Sequence, residues 1–444
     1  MDARQMIQEL KNWVQRERGI DLNLNDCQEA ILEYSLRGIA YTNMDNLGYA
    51  VDTIRNNTGP ALFRYLSQVT RRKITKKNCL LTLSRLLGHP GGEEDPEHNS
   101  LRLDLLEAPT LNYFYGREQE LSKLKTWIVT ESRAVVGVFG IPGIGKTQLL
   151  RKFVDQVKDN FDYVIWKDLA YCPLLADFLT DIESYFSTKR NIPLPQIGQR
   201  IRDLIPFLNQ HRCLLIFDHC EKLIETDLAT DQISADQQTI NYDNYDNYGR
   251  FLKSVLELEH RSCVVFVGLE IHPQMHIADI SRFRQLTVAG LRTEDAQYSQ
   301  YLLDNFRLSG QGIGTLIKNY QGHPWALQLA APFINMYHQG EIDKFLEETL
   351  FIHDAITHAF DQHFSRLSNT EINILRKLAY ETEPISLPEI YRFFPSISQT
   401  EIRQSMYRLC TTGLVEKNDS QRLVTFGLFH PLLTKYIKNR FREI

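Results

Sequence analysis

The sequence predicts a parallel-sheet α/β domain, preceded by a small all-α domain and followed by a helical annex and a C-terminal winged helix. Three observations carry this reading. Short apolar runs at 135–139, 163–166, 213–217, 263–267 and 285–288 alternate with helix-length stretches, the pattern of buried parallel strands covered on both faces. Before residue 88 the apolar residues follow helical spacing (Ile7, Leu10, Trp13 and Val14; Cys27, Ile31 and Tyr34). After about Arg292 no strand-like run appears until the C-terminal region, where three helix-start boxes (Ser368-x-x-Glu371, Ser386-x-x-Glu389, Ser398-x-x-Glu401) precede two short apolar runs around Asn418-Asp419-Ser420. Three helices and a hairpin describe a winged helix.

The 444 residues, 43% hydrophobic and 24% charged, suit about three globular domains and exclude collagen-like, low-complexity and wholly disordered classes. No apolar run approaches the roughly 18 residues of a membrane span, and the polar, amphipathic start MDARQMIQELKNW shows no signal peptide. Seven scattered cysteines without a C-x-x-C pair fit small buried thiols in a reducing, cytoplasmic compartment. The Gly/Pro/acidic stretch from Gly88 to Glu97 reads as an exposed linker. The expected domains are 1–88 (helical), 89–111 (linker), 112–291 (α/β), 292–364 (helical annex) and 365–444 (winged helix). Residues 1–88 carry +4 against −9 for the rest, a weak pointer to an anionic partner for that piece. The repeat Asn241-Tyr-Asp-Asn-Tyr-Asp-Asn-Tyr248 reads as a polar loop.

Residues Gly140, Ile141, Pro142, Gly143, Ile144, Gly145, Lys146 and Thr147 match G-x-x-x-x-G-K-[ST]. The string follows an apolar run and opens a helix whose inner face is Leu149, Leu150, Phe153 and Val157, the strand–loop–helix setting that this motif requires. Glycines let backbone N–H groups converge on phosphate oxygens, and the helix dipole faces the same anion. Lys146 would reach the β-phosphate, and the γ-phosphate when present; the Thr147 hydroxyl would hold Mg²⁺. Asp218, ending Cys213-Leu-Leu-Ile-Phe-Asp218, is the expected acidic Mg²⁺ partner. Hydrolysis usually needs a second carboxylate beside it, yet position 219 is His. His219 and Glu221 are therefore the candidates for water activation, and enzyme status stays open.

In motif order, residues 112–442 resemble the NB-ARC module of STAND-class P-loop ATPases, the signalling switches of plant disease-resistance proteins, apoptotic protease-activating factor and many cyanobacterial multidomain proteins. Phe114-Tyr115-Gly-Arg117-Glu118 is similar to the lead-in motif, whose backbone and Arg flank adenine. Phe161-Asp-Tyr-Val-Ile-Trp166 is similar to the second strand, and Gly322-His-Pro324 to the motif whose Pro packs on adenine. Phe429-His430-Pro431 stands where the family has Met-His-Asp, whose His contacts the β-phosphate of ADP. The resemblance implies nucleotide contacts from Tyr115, Arg117, residues 140–147, Gln148, Pro324 and His430, with ADP or ATP and Mg²⁺ as cofactors. Three departures touch ATP discrimination or hydrolysis: His219, Leu269 in place of the sensor arginine, and Pro431 in place of Asp. They suggest a nucleotide-holding module with slow or absent turnover.

The N-terminal segment from Leu36 to Lys77 resembles the helix-turn-helix-like domain of vWA-MoxR-associated proteins. Asn46-Leu-Gly-Tyr-Ala-Val51 would be the turn, Asp52 the cap of the helix carrying Arg55, and Pro60 a further helix start. Two readings stand. In one, Arg55, Arg71, Arg72, Lys73, Lys76 and Lys77 contact nucleic-acid phosphates; in the other, the domain is a protein adaptor with a solvated basic face. The combined expectation is a nucleotide-gated switch that controls an N-terminal output domain and opens to oligomerise. The alternative is a DNA-binding regulator whose dimerisation the nucleotide module controls. With the family's usual repeat array not seen after the helix 432–441, either a protein partner is expected to supply the sensor or effector or the protein is a stripped adaptor or regulator, and no membrane partner is expected.

Overall fold

A computed structural model describes residues 2–44, 51–88, 103–111, 113–171, 174–184, 196–223, 235–270, 282–291, 296–348, 350–419 and 424–441. The chain opens with helices α1 (Ala3–Arg18), α2 (Asp26–Leu36) and a short α3 (Val51–Thr53). The last runs through a π-helical turn (Ile54–Thr58) into α4 (Gly59–Thr70), and α5 (Cys79–Leu86) follows. Strands and helices then alternate: β1 (Leu103–Asp104), α6 (Glu118–Lys125), β2 (Val135–Phe139), α7 (Lys146–Val157), β3 (Tyr163–Asp168), α8 (Leu175–Ser184), α9 (Ile197–Gln210), β4 (Cys213–Asp218), α10 (Ala235–Glu257), β5 (Cys263–Gly268) and β6 (Phe283–Thr287). Five helices come next: α11 (Ala296–Phe306), α12 (Ile313–Asn319), α13 (Pro324–His338), α14 (Ile342–Phe345) and α15 (Asp354–Phe364). The C-terminal part is α16 (Asn369–Tyr380), β7 (Ile385–Ser386), α17 (Leu387–Phe393), α18 (Gln399–Thr411), β8 (Val415–Asp419), β9 (Val424–Leu428) and α19 (Pro431–Arg440).

These elements form two compact units, one of Met1–Ala108 with Phe161–Asp218 and the other of Pro109–Asn160 with His219–Ile444. In the first, Leu10, Ile31, Leu32, Leu62, Leu66 and Leu83 are fully buried among the N-terminal helices. Asn25 and Gln28 close a reciprocal capping box at the start of α2. β3 pairs in parallel with β1 (Leu103↔Val164) and with β4 (Tyr163↔Cys213). In the second unit β2 lies between β5 and β6, both parallel to it, with Val135 opposite Val264 and Phe283. Every residue of β2 and β5 is buried, as two-sided cover demands. Farther along, β9 pairs antiparallel with β7 and β8, beside α16–α18. The boxes at Ser368 and Ser386 are complete. At Ser398 only half is made, because the Glu401 carboxylate instead takes the Thr370 hydroxyl at 2.6 Å.

Several expectations need correction. The tyrosine repeat 241–248 is not a loop but part of α10. Its tyrosines fall three residues apart, close to one helical turn, and Tyr248 is fully buried. The expected linker 89–111 ends early: Leu103 and Asp104 form β1, and Glu107 is buried, its carboxylate accepting the Asp168 N–H at 2.8 Å. The expected domain 112–291 is shared between the two units. Asp52 lies within the helix rather than capping it, since Val51 is already helical; the turn before it, like most of the linker, lies outside the described residues. β8 continues through Asp419, so Asn418-Asp419 is strand and not the hairpin turn.

Candidate nucleotide site

The apolar strand β2 delivers the chain into the loop 140–145, where Gly143 and Gly145 take φ of 75° and 100°, values only glycine adopts without strain. At Gly143 the loop runs so close to α13 that a Cβ would meet the Trp325 ring at 2.5 Å and His323 at 3.0 Å. Lys146, at the first position of α7, is buried, and its ammonium donates to the Gly140 and Ile141 carbonyls at 2.8 and 3.1 Å. Thr147 follows, half-buried, and Gln148 has its side-chain oxygen buried without a partner among the described residues.

Arg117 braces the loop from outside. Its φ of 73° precedes α6, and its buried guanidinium donates to the Ile144 carbonyl at 2.9 Å and to the Ala289 carbonyl, with Glu120 at 3.1 Å. Burial works against its charge, and Glu120 partly offsets this. Here Arg117 is a strut between the phosphate loop and the segment after β6. Tyr115 stands against Tyr298 and Tyr301 of α11, with ring centroids at 5.9 and 4.9 Å.

The annex reaches the loop through Gly322-His323-Pro324. The Pro324 ring lies 4.0 Å from where a Gly145 Cβ would sit. His323 Nδ1 accepts the Ala326 N–H at 3.2 Å, which leaves the proton on Nε2 to donate to the Pro142 carbonyl at 2.9 Å. Burial, with Lys146 and Arg117 nearby, pushes its pKa down to about 4. His430 caps α19, its Nδ1 accepting the Leu432 N–H at 3.2 Å, and its ring stands edge-on to His323 at 5.3 Å. Its Nε2 is buried and faces the Tyr320 backbone carbonyl. Burial and His323 push it down to about 3. The turn after α18 completes the enclosure: a Cβ on Gly413 would lie 3.5 Å from the Gly140 Cα. His323, Trp325 and Gly413 were missed by the sequence reading; only His323 had a signal, standing inside the quoted Gly-x-Pro motif.

Glu221, in the short turn after β4, is buried and accepts the Leu269 N–H at 3.0 Å. It thus caps the end of β5, where Gly268 leaves no room for a side chain. His219 is half-buried with φ of 56°. Beyond Leu269, Glu270 faces Arg408 of α18 at 3.4 Å, and Arg408 also reaches Glu371 at 3.4 Å. Burial pushes the Glu270 carboxyl up, and Arg408 and Arg366 draw it back.

In the other unit, Asp218 is buried at the end of β4. The basic run is largely committed there: Arg72 holds Asp181 at 2.7 Å, and Lys73 holds Asp168 at 2.8 Å and the Glu107 carbonyl at 3.0 Å. Burial opposes the Lys73 charge, but Asp168, Asp218 and Glu107 outweigh it and raise its pKa. Lys76 lies 3.8 Å over the Tyr41 ring, Arg71 is half-buried, and Arg55 and Lys77 are exposed. The expected phosphate-contacting stripe is thus split, with Arg72 and Lys73 engaged by carboxylates of their own unit.

Residues 1–86 match the family described as vWA-MoxR associated protein N-terminal HTH, and residues 114–244 match the ATPase domain predominantly from Archaea. The chain is an ATPase-domain protein, with a nucleotide-binding P-loop fold and an N-terminal helix-turn-helix domain. It is 29% identical over 355 residues to an uncharacterized WD repeat-containing protein of Nostoc sp. strain PCC 7120, a match covering 76% of this chain and 27% of that protein. The chain therefore spans about a quarter of the curated relative's length. Among solved structures it is similar to the Walker-type ATPase PABY2304 of Pyrococcus abyssi (TM-score 0.48, 14% identity, 74% of this chain and 98% of that one). It is also similar to the Aeropyrum pernix ORC2 protein in its ADP form (TM-score 0.37, 15% identity, 75% and 95%). Among the described residues no helix is long and apolar enough to cross a membrane.

Proposed function

We propose that the chain is an adenine-nucleotide switch of the STAND/NB-ARC type, in which ADP bound at the phosphate loop holds the C-terminal winged helix and annex closed. The observation that supports it most is the convergence on one loop of two separate pieces of chain, His323 and Trp325 at the head of α13 and the Gly413 turn after α18, with His430 at the head of α19 set edge-on against His323. A ligand shifts a two-state equilibrium only by its difference in affinity for the states, and such contacts provide that difference. Exchange of ADP for ATP would weaken the closed arrangement and favour an open, oligomerising form. The Thr147 hydroxyl is a hard oxygen donor suited to Mg²⁺, which would neutralise phosphate charge. His430, beside His323 at the head of α19, would be the imidazole that meets a phosphate oxygen.

The N-terminal domain would be the output element, and a protein partner or repeat module the sensor; a relative bearing WD repeats fits that division. Carboxylate pairing of Arg72 and Lys73 favours the adaptor reading over DNA binding. Retention of ADP by purified wild-type protein and its loss in Lys146→Ala is the expected result. Wild-type protein that retains no nucleotide and binds neither ADP nor ATP would overturn the proposal.

A further inference from the structure

Helices α8 and α9 of the first unit line a cavity of about 370 Å³, a volume within the range of small-ligand sites. Leu179 and Glu183, one turn apart on α8, face Arg200, Asp203, Leu204 and Phe207 of α9 across it. Leu179, Leu204 and Phe207 supply its apolar wall. Arg200 is 3% exposed, and its guanidinium is fixed from one side: Nε and Nη2 donate to the two Glu183 oxygens at 2.9 and 3.2 Å, and Nη2 also to the Thr180 hydroxyl at 2.9 Å. Nη1 makes no hydrogen bond among the described residues, so this buried cavity-lining group keeps a donor to give. Asp203 is exposed; the Gln199 amide occupies its Oδ1 at 2.7 Å, and its Oδ2 makes no hydrogen bond among the described residues.

Charge selects the ligand. Arg200 against Glu183 and Asp203 leaves an excess of one negative charge in the lining. An anion drawn to Arg200 would also meet Glu183, whereas a cation is drawn to Asp203 and an uncharged oxygen suits the remaining Nη1–H. Residues three apart on a helix have Cβ atoms about 5–6 Å apart, a span that an α-ammonium and the carbonyl of the same residue can bridge with one hydrogen bond each. We propose that the cavity binds the N-terminal residue of a peptide, with its ammonium on Asp203, its first carbonyl oxygen on Arg200, and an apolar side chain against Leu179, Leu204 and Phe207. The inference goes beyond the nucleotide reading and does not rest on it.

Amide ¹⁵N shift mapping of the full chain, titrated with leucyl-glycinamide, tests it. Saturable shifts in α8 and α9 are expected. N-acetyl-leucyl-glycinamide, which lacks the charge, and free leucine, which sets a carboxylate beside Glu183, should each bind roughly fivefold more weakly or worse, the upper worth of an exposed charge pair. Asp203→Asn should weaken leucyl-glycinamide by a similar factor with helical content unchanged. No shifts in α8 and α9, or an acetylated ligand that binds as tightly, would overturn the site; free leucine binding as tightly would overturn the peptide assignment. The ligand series needs wild type alone, so it decides even if the variant does not fold.

Discussion

Acidification of the nucleotide-free protein should unsettle the second unit well before its carboxylates titrate. His323, His363 and His430 are buried and neutral, with folded pKa values of about 4, 3 and 3 against 6.5 when unfolded. Each folded value is depressed, so the stabilisation from burying a neutral ring is present above pH 6.5 and lost as pH falls from there towards the folded value. Integrating proton uptake from pH 7 to pH 5, where the unfolded ring is protonated and the folded one is not, gives a loss of about 2 kcal/mol per histidine. Three together approach the whole stability of an ordinary domain. Thermal unfolding at pH 7 and pH 5 checks this, with His363→Phe alongside wild type. Wild type should lose about 2 kcal/mol more than the variant, roughly 4–8 °C in midpoint for a unit of this size. Parallel losses in the two proteins would refute the buried neutral state of His363.

Gly143→Ala combines φ of 75° with a collision against Trp325 and should lower the midpoint and weaken nucleotide binding together, at about 2 kcal/mol or more; unchanged ADP affinity would contradict the closeness of α13. Lys73→Ala leaves the Asp168 carboxylate, buried to 4% exposure, without its lysine. It should cost about 2 kcal/mol, below the range for fully buried pairs because Lys73 is 28% exposed. Faster amide exchange in α4 and α5 would report the loosening, and a double-mutant cycle with Asp168→Asn would show coupling. Arg117→Lys loses a planar fork and should weaken nucleotide binding several-fold while the helical content by circular dichroism stays constant. Glu221→Gln keeps an acceptor for the Leu269 N–H, so it should preserve the midpoint; ATP turnover present in wild type and absent in this variant would give Glu221 a chemical role beside its structural one.

The strands and the phosphate loop were legible because buried parallel strands leave short apolar runs and the loop chemistry demands glycines at fixed spacing. Lys146 opens α7, and the Pro324 ring lies beside Gly145 of the loop. Other features had no local signal. His363 is one histidine on an amphipathic helix, indistinguishable in sequence from a satisfied core residue. Arg72 and Lys73 read as a basic run because their partners, Asp181 and Asp168, lie about a hundred residues on. The repeat 241–248 was misread through its polar composition, although its spacing of three matched a helix. The sharing of the α/β domain between two units reflects long-range packing, which the order of elements along the chain does not encode.

Where the Gly413 turn comes near Gly140, a Cβ on Gly413 would sit 3.1 Å from the Thr287 methyl and 3.5 Å from the Gly140 Cα, so no side chain there can swivel aside. A long flexible group would absorb small displacements by changing rotamer, whereas glycine backbone beside a short, stiff threonine passes them on. Whatever shifts the first amide of the loop by an ångström must therefore push the α18–β8 corner by a similar amount, making that corner a stiff lever rather than a cushion.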